Sequence, residues 1–398
     1  MRKRFLGIIA LALLTTACSD DDNQMDMGNI QAPSTYEFTR DGASTVSFSG
    51  QTTRIQMGEA LGKALMDPAT SSEALKAMYA HEAGTPNFDD ETLNASSKNI
   101  RSKVAASRDY FFTNSTLSAA IKQDFETWID GQANEVFSSW NQEAAAGVPG
   151  FIQEAGGGSV RYVNAKGLEY DQIVIKGLIG ALMTDQMLNN YLSVSVLDEG
   201  ANRANNDNGV TEEGKSYTTM EHKWDEAYGY LYGTEGNPAS PILGADSFLS
   251  KYLGRMEGDP DFAGIAQEIF DAFALGRQAI VEKNYELRDA QADIIREKVS
   301  MIIGVRAVYY LEYGKQAFAA NDKAAAFHDL SEGVGFIYSL QFTRNPETNQ
   351  PYFTHEEVTN YLETLLAGNG FWDVEASTLE NMAAEIAARF PFTVAEAL

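Results

Sequence analysis

Three observations predict an all-α fold for this chain of 398 residues. From about residue 52 to residue 390, apolar side chains recur every three to four positions, the spacing that lines one face of a helix. Alternation with a period of two is confined to a short stretch before that. An eleven-residue pattern then occurs twice, which implies a duplicated unit and so two pseudo-symmetric helical bundles, roughly 52–232 and 246–390.

The first 17 residues read as a secretion signal. Arg2, Lys3 and Arg4 make a basic start, and residues 5–14 are apolar but too few to span a bilayer. Thr15-Thr16-Ala17-Cys18 resembles a bacterial lipobox, with Thr15 where Leu is usual. In that reading Cys18 is acylated and becomes the new N-terminus, and several acyl chains together hold a protein stably. Cys18 is the only cysteine, so no internal disulfide can form. Residues 18–34 read as an acidic, polar tether. Ser19-Asp20-Asp21-Asp22 resembles the tag that sends some lipoproteins to the outer face of the outer membrane. The expectation is an outer-membrane lipoprotein facing the cell exterior, held to the membrane by lipid on Cys18.

Residues 35–38 and 45–48 alternate around Asp41-Gly42 and predict a small β-hairpin. Ile55, Leu61, Ala64 and Leu65 then form a helical stripe that Asp67-Pro68 ends, and Ser71-Ser72 cap the next helix. Helices are expected over 97–112 and 116–145. Pro149 and Gly156-Gly157-Gly158 mark a loop over 148–167, and a long helix is expected over 168–197. Residues 198–215 form a polar loop that lacks the alternating acids of a calcium site. Further helices are expected at 218–232, 246–256, 262–283, 286–320, 323–342, 354–367 and 375–389. The apolar run 299–311 contains Arg306 and is too short for a membrane span, so it reads as a buried helix.

Composition bounds the function. Hydrophobic residues are 44% of the chain and charged residues 22%, which is globular. Thirty Lys and Arg against 56 Asp and Glu give a net charge of −26, which argues against a nucleic-acid surface.

The candidate chemistry lies in the repeated pattern. Residues 222–232 and 328–338 both read His-x3-Glu-x2-Gly-aromatic-aliphatic-Tyr without a gap. Residues four and seven apart share a helix face, so His222, Glu226 and Gly229 align, as do His328, Glu332 and Gly335. Asp225 adds a carboxylate to the first face. Imidazole with carboxylates suits iron, zinc or manganese. If the two faces meet, His222, Asp225, Glu226, His328 and Glu332 would converge as ligands. The same pairs are equally explained as hydrogen-bonded braces between helices, and the sequence does not separate the two readings. Trp224, Tyr228, Tyr230 and Tyr232 read as core.

Asp185 and Arg306 each sit in an apolar helix, where an isolated charge costs several kcal/mol. They are expected to pair, with each other or with the His/Glu faces, and Asp185 is a further candidate ligand. His81 and His355 carry no pattern and read as surface or helix-end residues. The sequence holds no His-Glu-x-x-His, no Glu-x-x-His, no Gly-x-Ser-x-Gly and no P-loop.

With its lipobox, its helical chain and the segment Met220-Glu-His-Lys-Trp-Asp-Glu-Ala-Tyr-Gly, the sequence resembles the imelysin-like superfamily. More narrowly it resembles a bacterial lipoprotein branch that carries a domain of unknown function. The resemblance spans the chain from about residue 36 and implies two helical bundles related by a pseudo-repeat. The superfamily's hallmark is Gly-x-His-x-x-Glu. Here Met220 stands at the Gly and Asp225 at the Glu, so the resemblance carries a metal role to His222 and Asp225 only. It also implies a place in iron acquisition beside an outer-membrane transport partner, and some members are called peptidases. Three functions follow as expectations: an iron- or other divalent-metal-binding lipoprotein, an imelysin-type metallopeptidase, and a structural or partner-binding lipoprotein without a metal.

Overall fold

The computed structural model describes residues 30–398, so the signal, the lipobox with Cys18 and most of the tether lie outside the described residues. The fold is all-α with two small antiparallel hairpins. The first, β1 (Thr39–Arg40) with β2 (Ala43–Ser44), turns at Asp41 and Gly42 with φ of 52° and 79°. Two positive φ values in an Asp-Gly turn match the right-handed twist of the strands. The hairpin and its turn fall where the sequence predicts, but the paired residues are 39–40 with 43–44 and not the expected 35–38 with 45–48.

Helix α1 (Ser49–Ala64) carries the first stripe, and Ser71 caps α2 (Ser72–Tyr79) by accepting from the Ala74 amide. A short α3 (Glu91–Ala95) follows, capped by Asp90. The helix expected at 97–112 does not form. The Asp185 carboxylate accepts from the Ala106 and Ser107 amides, and Ala105 has φ of 44°, so the chain there follows the needs of a distant buried acid. Helix α4 (Ser115–Gly131) continues only through a widened turn at Gln132–Val136 and a tight one at Phe137–Ser139, short of residue 145.

The segment expected as loop at 148–167 holds the second hairpin, β3 (Gly150–Gln153) paired with β4 (Val160–Val163) around the glycines. Trp140 stacks on Tyr162 of this hairpin at 3.4 Å. The expected helix at 168–197 is α5 (Tyr170–Leu178) prolonged by two π-type turns, Ile179–Thr184 and Met187–Tyr191, then a separate α6 (Val194–Leu197). The polar loop contains α7 (Asn202–Asp207).

The remaining helices lie close to expectation. They are α8 (Thr219–Tyr232), α9 (Leu249–Glu257), α10 (Ile265–Val281), α11 (Tyr285–Ala319), α12 (Lys323–Ser339), α13 (His355–Leu365) and α14 (Ala376–Ala387). Capping boxes open α8 (Thr218 with Glu221) and α13 (Thr354 with Glu357). The 35-residue α11 is the axis of the C-terminal part and packs against α10, α12 and α14. Its apolar run is buried, and among the described residues no helix is long and apolar enough to cross a membrane.

Two crossings repeat. Helix α8 packs on α1, and α12 packs on α5. In the second pair the helices run in the same direction, since contacts advance together from His328 at Glu169 to Ser339 at Gly180.

Candidate functional site

The duplicated sequence pattern is a duplicated contact. In the first copy, His222 donates Nδ1–H to the Ser47 carbonyl at 3.0 Å, just before α1 begins. Glu226 accepts from Gln51 of α1 at 3.0 Å and from Lys223 at 2.7 Å. A Cβ on Gly229 would lie 2.4 Å from Phe48 Cβ, so only glycine permits this approach. In the second copy, His328 donates Nδ1–H to Glu169 at 2.6 Å, at the start of α5. Glu332 pairs with Lys176 of α5 at 3.1 Å, and a Cβ on Gly335 would lie 2.4 Å from Lys176 Cβ. In both copies the imidazole meets the entry of the crossing helix, the carboxylate meets a side chain within that helix, and the glycine makes a close approach.

Electrostatics follows these contacts. Burial lowers the His222 pKa, with Glu226 opposing. Burial, the largest influence, would lower His328 too, but its hydrogen bond to Glu169 and the charges of Glu169 and Glu332 together outweigh it and raise the value. Burial raises Glu332, yet Lys176 and then His328 hold it at about 2.

Asp225, the acid that the imelysin-like resemblance singles out, is fully buried and engaged elsewhere. It accepts from Arg277 Nε at 3.1 Å, Tyr36 Oη at 2.8 Å and the Ser47 amide at 3.1 Å. Arg277 also reaches Glu221 and Thr45, and Arg40 grips Glu221 with two bonds of 2.9 Å. This network clamps the first hairpin onto α8 and α10. Burial still pushes Asp225 up to about 6 against these donors.

The expected convergence of the two faces is not what the structure holds. Helices α8 and α12 pack on different partners, and Asp185 spends its carboxylate on the Ala106 and Ser107 amides at 3.0 Å each. Among the described residues, no three His, Cys, Asp or Glu side chains stand together in a group able to hold a metal ion. Each candidate carboxylate already faces a cation, an amide or a hydroxyl, and that satisfies it without a metal. The expected Asp185–Arg306 pair is absent as well. Asp185 is met by the Ala106 and Ser107 amides and by the Asn189 side chain, and Arg306 makes no hydrogen bond among the described residues.

A second place brings titratable groups together around open space. A cleft of about 570 Å³ lies between α4 and α13, with Tyr338 of α12 in its wall. Trp128, Val358, Leu362 and Leu366 supply apolar walls, and Asp124, His355, Lys166 and Glu363 supply polar groups. Tyr338 donates to Asp124 Oδ2 at 2.8 Å, and Trp128 meets the Tyr338 ring edge-on at 4.9 Å. His355, the first residue of α13, donates Nδ1–H to Gln341 Oε1 at 2.7 Å. Burial raises the Asp124 pKa, opposed by the Tyr338 hydrogen bond and by His355. Larger grooves exist, one of about 690 Å³ beside the first hairpin and one of about 730 Å³ along α1 and α2, but neither contains a histidine.

The profile of a family described as Domain of unknown function (DUF4856) matches residues 33–393. The chain belongs to the DUF4856 family. No curated protein and no solved structure is significantly similar to it. In this DUF4856 chain the cleft draws on residues the sequence offered no pattern for. His355 reads as a helix-end residue and is one, yet it lines the cleft. Tyr338 is the exception, because it is the closing Tyr of the second repeat. Its counterpart Tyr232 is buried with no partner for its hydroxyl.

Proposed function

We propose that this DUF4856 protein is a lipid-anchored binding protein of the cell envelope that takes an organic ligand in the cleft between α4 and α13. The observation that carries the reading is the cleft itself. Its volume lies within the range of roughly 300–1,000 Å³ usual for small-molecule sites. It combines apolar and aromatic walls with a few converging polar groups, among them a carboxylate, an imidazole and a phenol. The lipobox-like segment at Cys18 supports anchoring, and the acidic residues after it support the outer membrane's external face.

The imelysin-like resemblance supports a role in iron acquisition beside an outer-membrane transport partner. In that role the iron would arrive within an organic carrier, because His222, Asp225, Glu226, His328, Glu332 and Asp185 are engaged by other protein groups. The repeated His/Glu pairs then serve as braces at helix crossings.

Titration with haem and with ferric citrate, followed by thermal shift and tryptophan fluorescence, tests this reading. Binding by the parent protein, lost in Leu362→Trp (which fills the cleft) and weakened in Asp124→Asn, is the expected result. Binding of either probe that both variants leave intact would contradict the cleft assignment.

A further inference from the structure

Six arginines are buried among the described residues: Arg54, Arg277, Arg288, Arg296, Arg306 and Arg344. Five of them hydrogen-bond to carboxylates, carbonyls or hydroxyls. Arg306 alone donates no hydrogen bond, although only 5% of its surface is exposed and its Nε is enclosed with no partner. A guanidinium carries five donors and stays charged in proteins. Burying it unpaired is costly, so its surroundings need an explanation.

Those surroundings are aromatic, with one further cation, Arg255. The guanidinium sits 4.8 Å from the Tyr309 ring centre, and the groups acting on its charge are Tyr310, Arg255, Tyr309 and Tyr252, with no carboxylate among them. Arg255, on the exposed side of α9, donates to Tyr310 Oη at 2.9 Å. From there hydroxyls lead inward, Tyr310 to Tyr252 at 3.5 Å and Tyr252 to Glu332 at 3.3 Å. Arg255, Lys251 and Lys176 all stand within 5.3–5.5 Å of the Tyr252 ring centre. Glu332 is the one carboxylate in contact with this group, and Lys176 already neutralises it. In a chain of net charge −26, three further cations, Arg306, Arg255 and Lys251, gather here, and among the described residues none of them forms an ion pair; Glu332 acts on Arg255 and Lys251, and Glu59 on Lys251, only from a distance.

We propose that Arg306 and Arg255, with Lys251 beside them and the Tyr252 and Tyr310 hydroxyls as wall, form a binding site for a phosphate group. A planar guanidinium fork matches a phosphate's oxygens, and a dianion suits several cations better than a single carboxylate does. The phosphate comes either from free phosphate in solution or from a phosphorylated lipid headgroup at the membrane that anchors the protein. The site lies on α9 and α11 and does not depend on the cleft between α4 and α13.

The test is a titration of the purified protein with inorganic phosphate at constant ionic strength, read by calorimetry and thermal shift. A parallel arm measures sedimentation with vesicles of phosphatidic acid, whose headgroup is a phosphomonoester, against phosphatidylcholine vesicles. Saturable binding of phosphate, or of the anionic vesicles alone, is expected, and the two arms identify the source. Arg255→Met and Arg306→Met should each weaken that binding roughly tenfold or more. Arg306→Met should also melt no lower than the parent in phosphate-free buffer, since it removes an unpaired buried charge. Arg255 is exposed, so its variant keeps the test decisive if Arg306→Met folds poorly. Binding in neither arm, or binding unchanged in both variants, overturns the proposal.

Discussion

Tyr338 Oη donates to Asp124 Oδ2 at 2.8 Å, tying α12 to α4 beneath the cleft. The tyrosine closes the second sequence repeat, so one helix carries a brace at His328 and Glu332 and a cleft wall one turn and a half later. Tyr338→Phe removes the donor while keeping the ring against Trp128. We expect a stability loss of about 1–3 kcal/mol, because Asp124 is left without its main partner. Denaturant unfolding measures this, and the Asp124 pKa, followed by NMR, should rise further.

The clamp on the first hairpin gives a sharper expectation. Arg277→Met strips a fully buried Asp225 and Glu221 of their shared cation, and breaking such a pair costs about 3–5 kcal/mol. Asp225→Asn in the same background should recover part of that loss. A double-mutant cycle by urea unfolding checks it, and additive losses would show that the pair does not couple.

The repeated glycines are predicted to be intolerant in both copies. Gly229→Ala drives a methyl to 2.4 Å from the Phe48 Cβ at the entry of α1, and Gly335→Ala to 2.4 Å from the Lys176 Cβ of α5. Overpacking of this kind costs about 1–3 kcal/mol. Gly156→Ala has open space but a φ of 71°, so its loss should come from backbone strain and not from packing. Thermal denaturation of the three variants compares them.

Much of the fold was legible because helix spacing and caps act locally. The bounds of α8, α11 and α13 fall within a residue or two of expectation. The failures share a cause, which is a tertiary partner absent from the local sequence. Residues 97–112 have helical spacing, but Asp185 claims two of their amides. The second hairpin was hidden by Gly156–Gly158, which read as loop, although Val160, Tyr162 and Val163 are β-formers and Tyr162 finds Trp140. At the candidate site, the repeat was visible and its geometry was not. Spacing puts His222 and Glu226 on one face, but it says nothing of Ser47 and Gln51, 175 residues away.

Stability should fall as pH rises through neutrality. Burial pushes Asp171 up to about 7, and Asp185, Asp225, Asp246 and Asp329 up to about 6, against an unfolded value of 3.8. The folded state therefore holds more protons than the unfolded one between about pH 4 and 7, which makes the slope of stability against pH negative there. His328, with its pKa raised, acts in the same direction, and His222, with its pKa lowered, acts against it. The melting temperature should be higher at pH 5.5 than at pH 8, and Asp171→Asn should flatten the profile.

The most direct measurement counts metal in the purified protein by elemental analysis after equilibration with iron, manganese and zinc. If the His/Glu faces brace helix crossings, metal stays well below one atom per chain, and His222→Ala and His328→Ala leave that figure unchanged. One atom per chain, lost in either variant, would contradict the account.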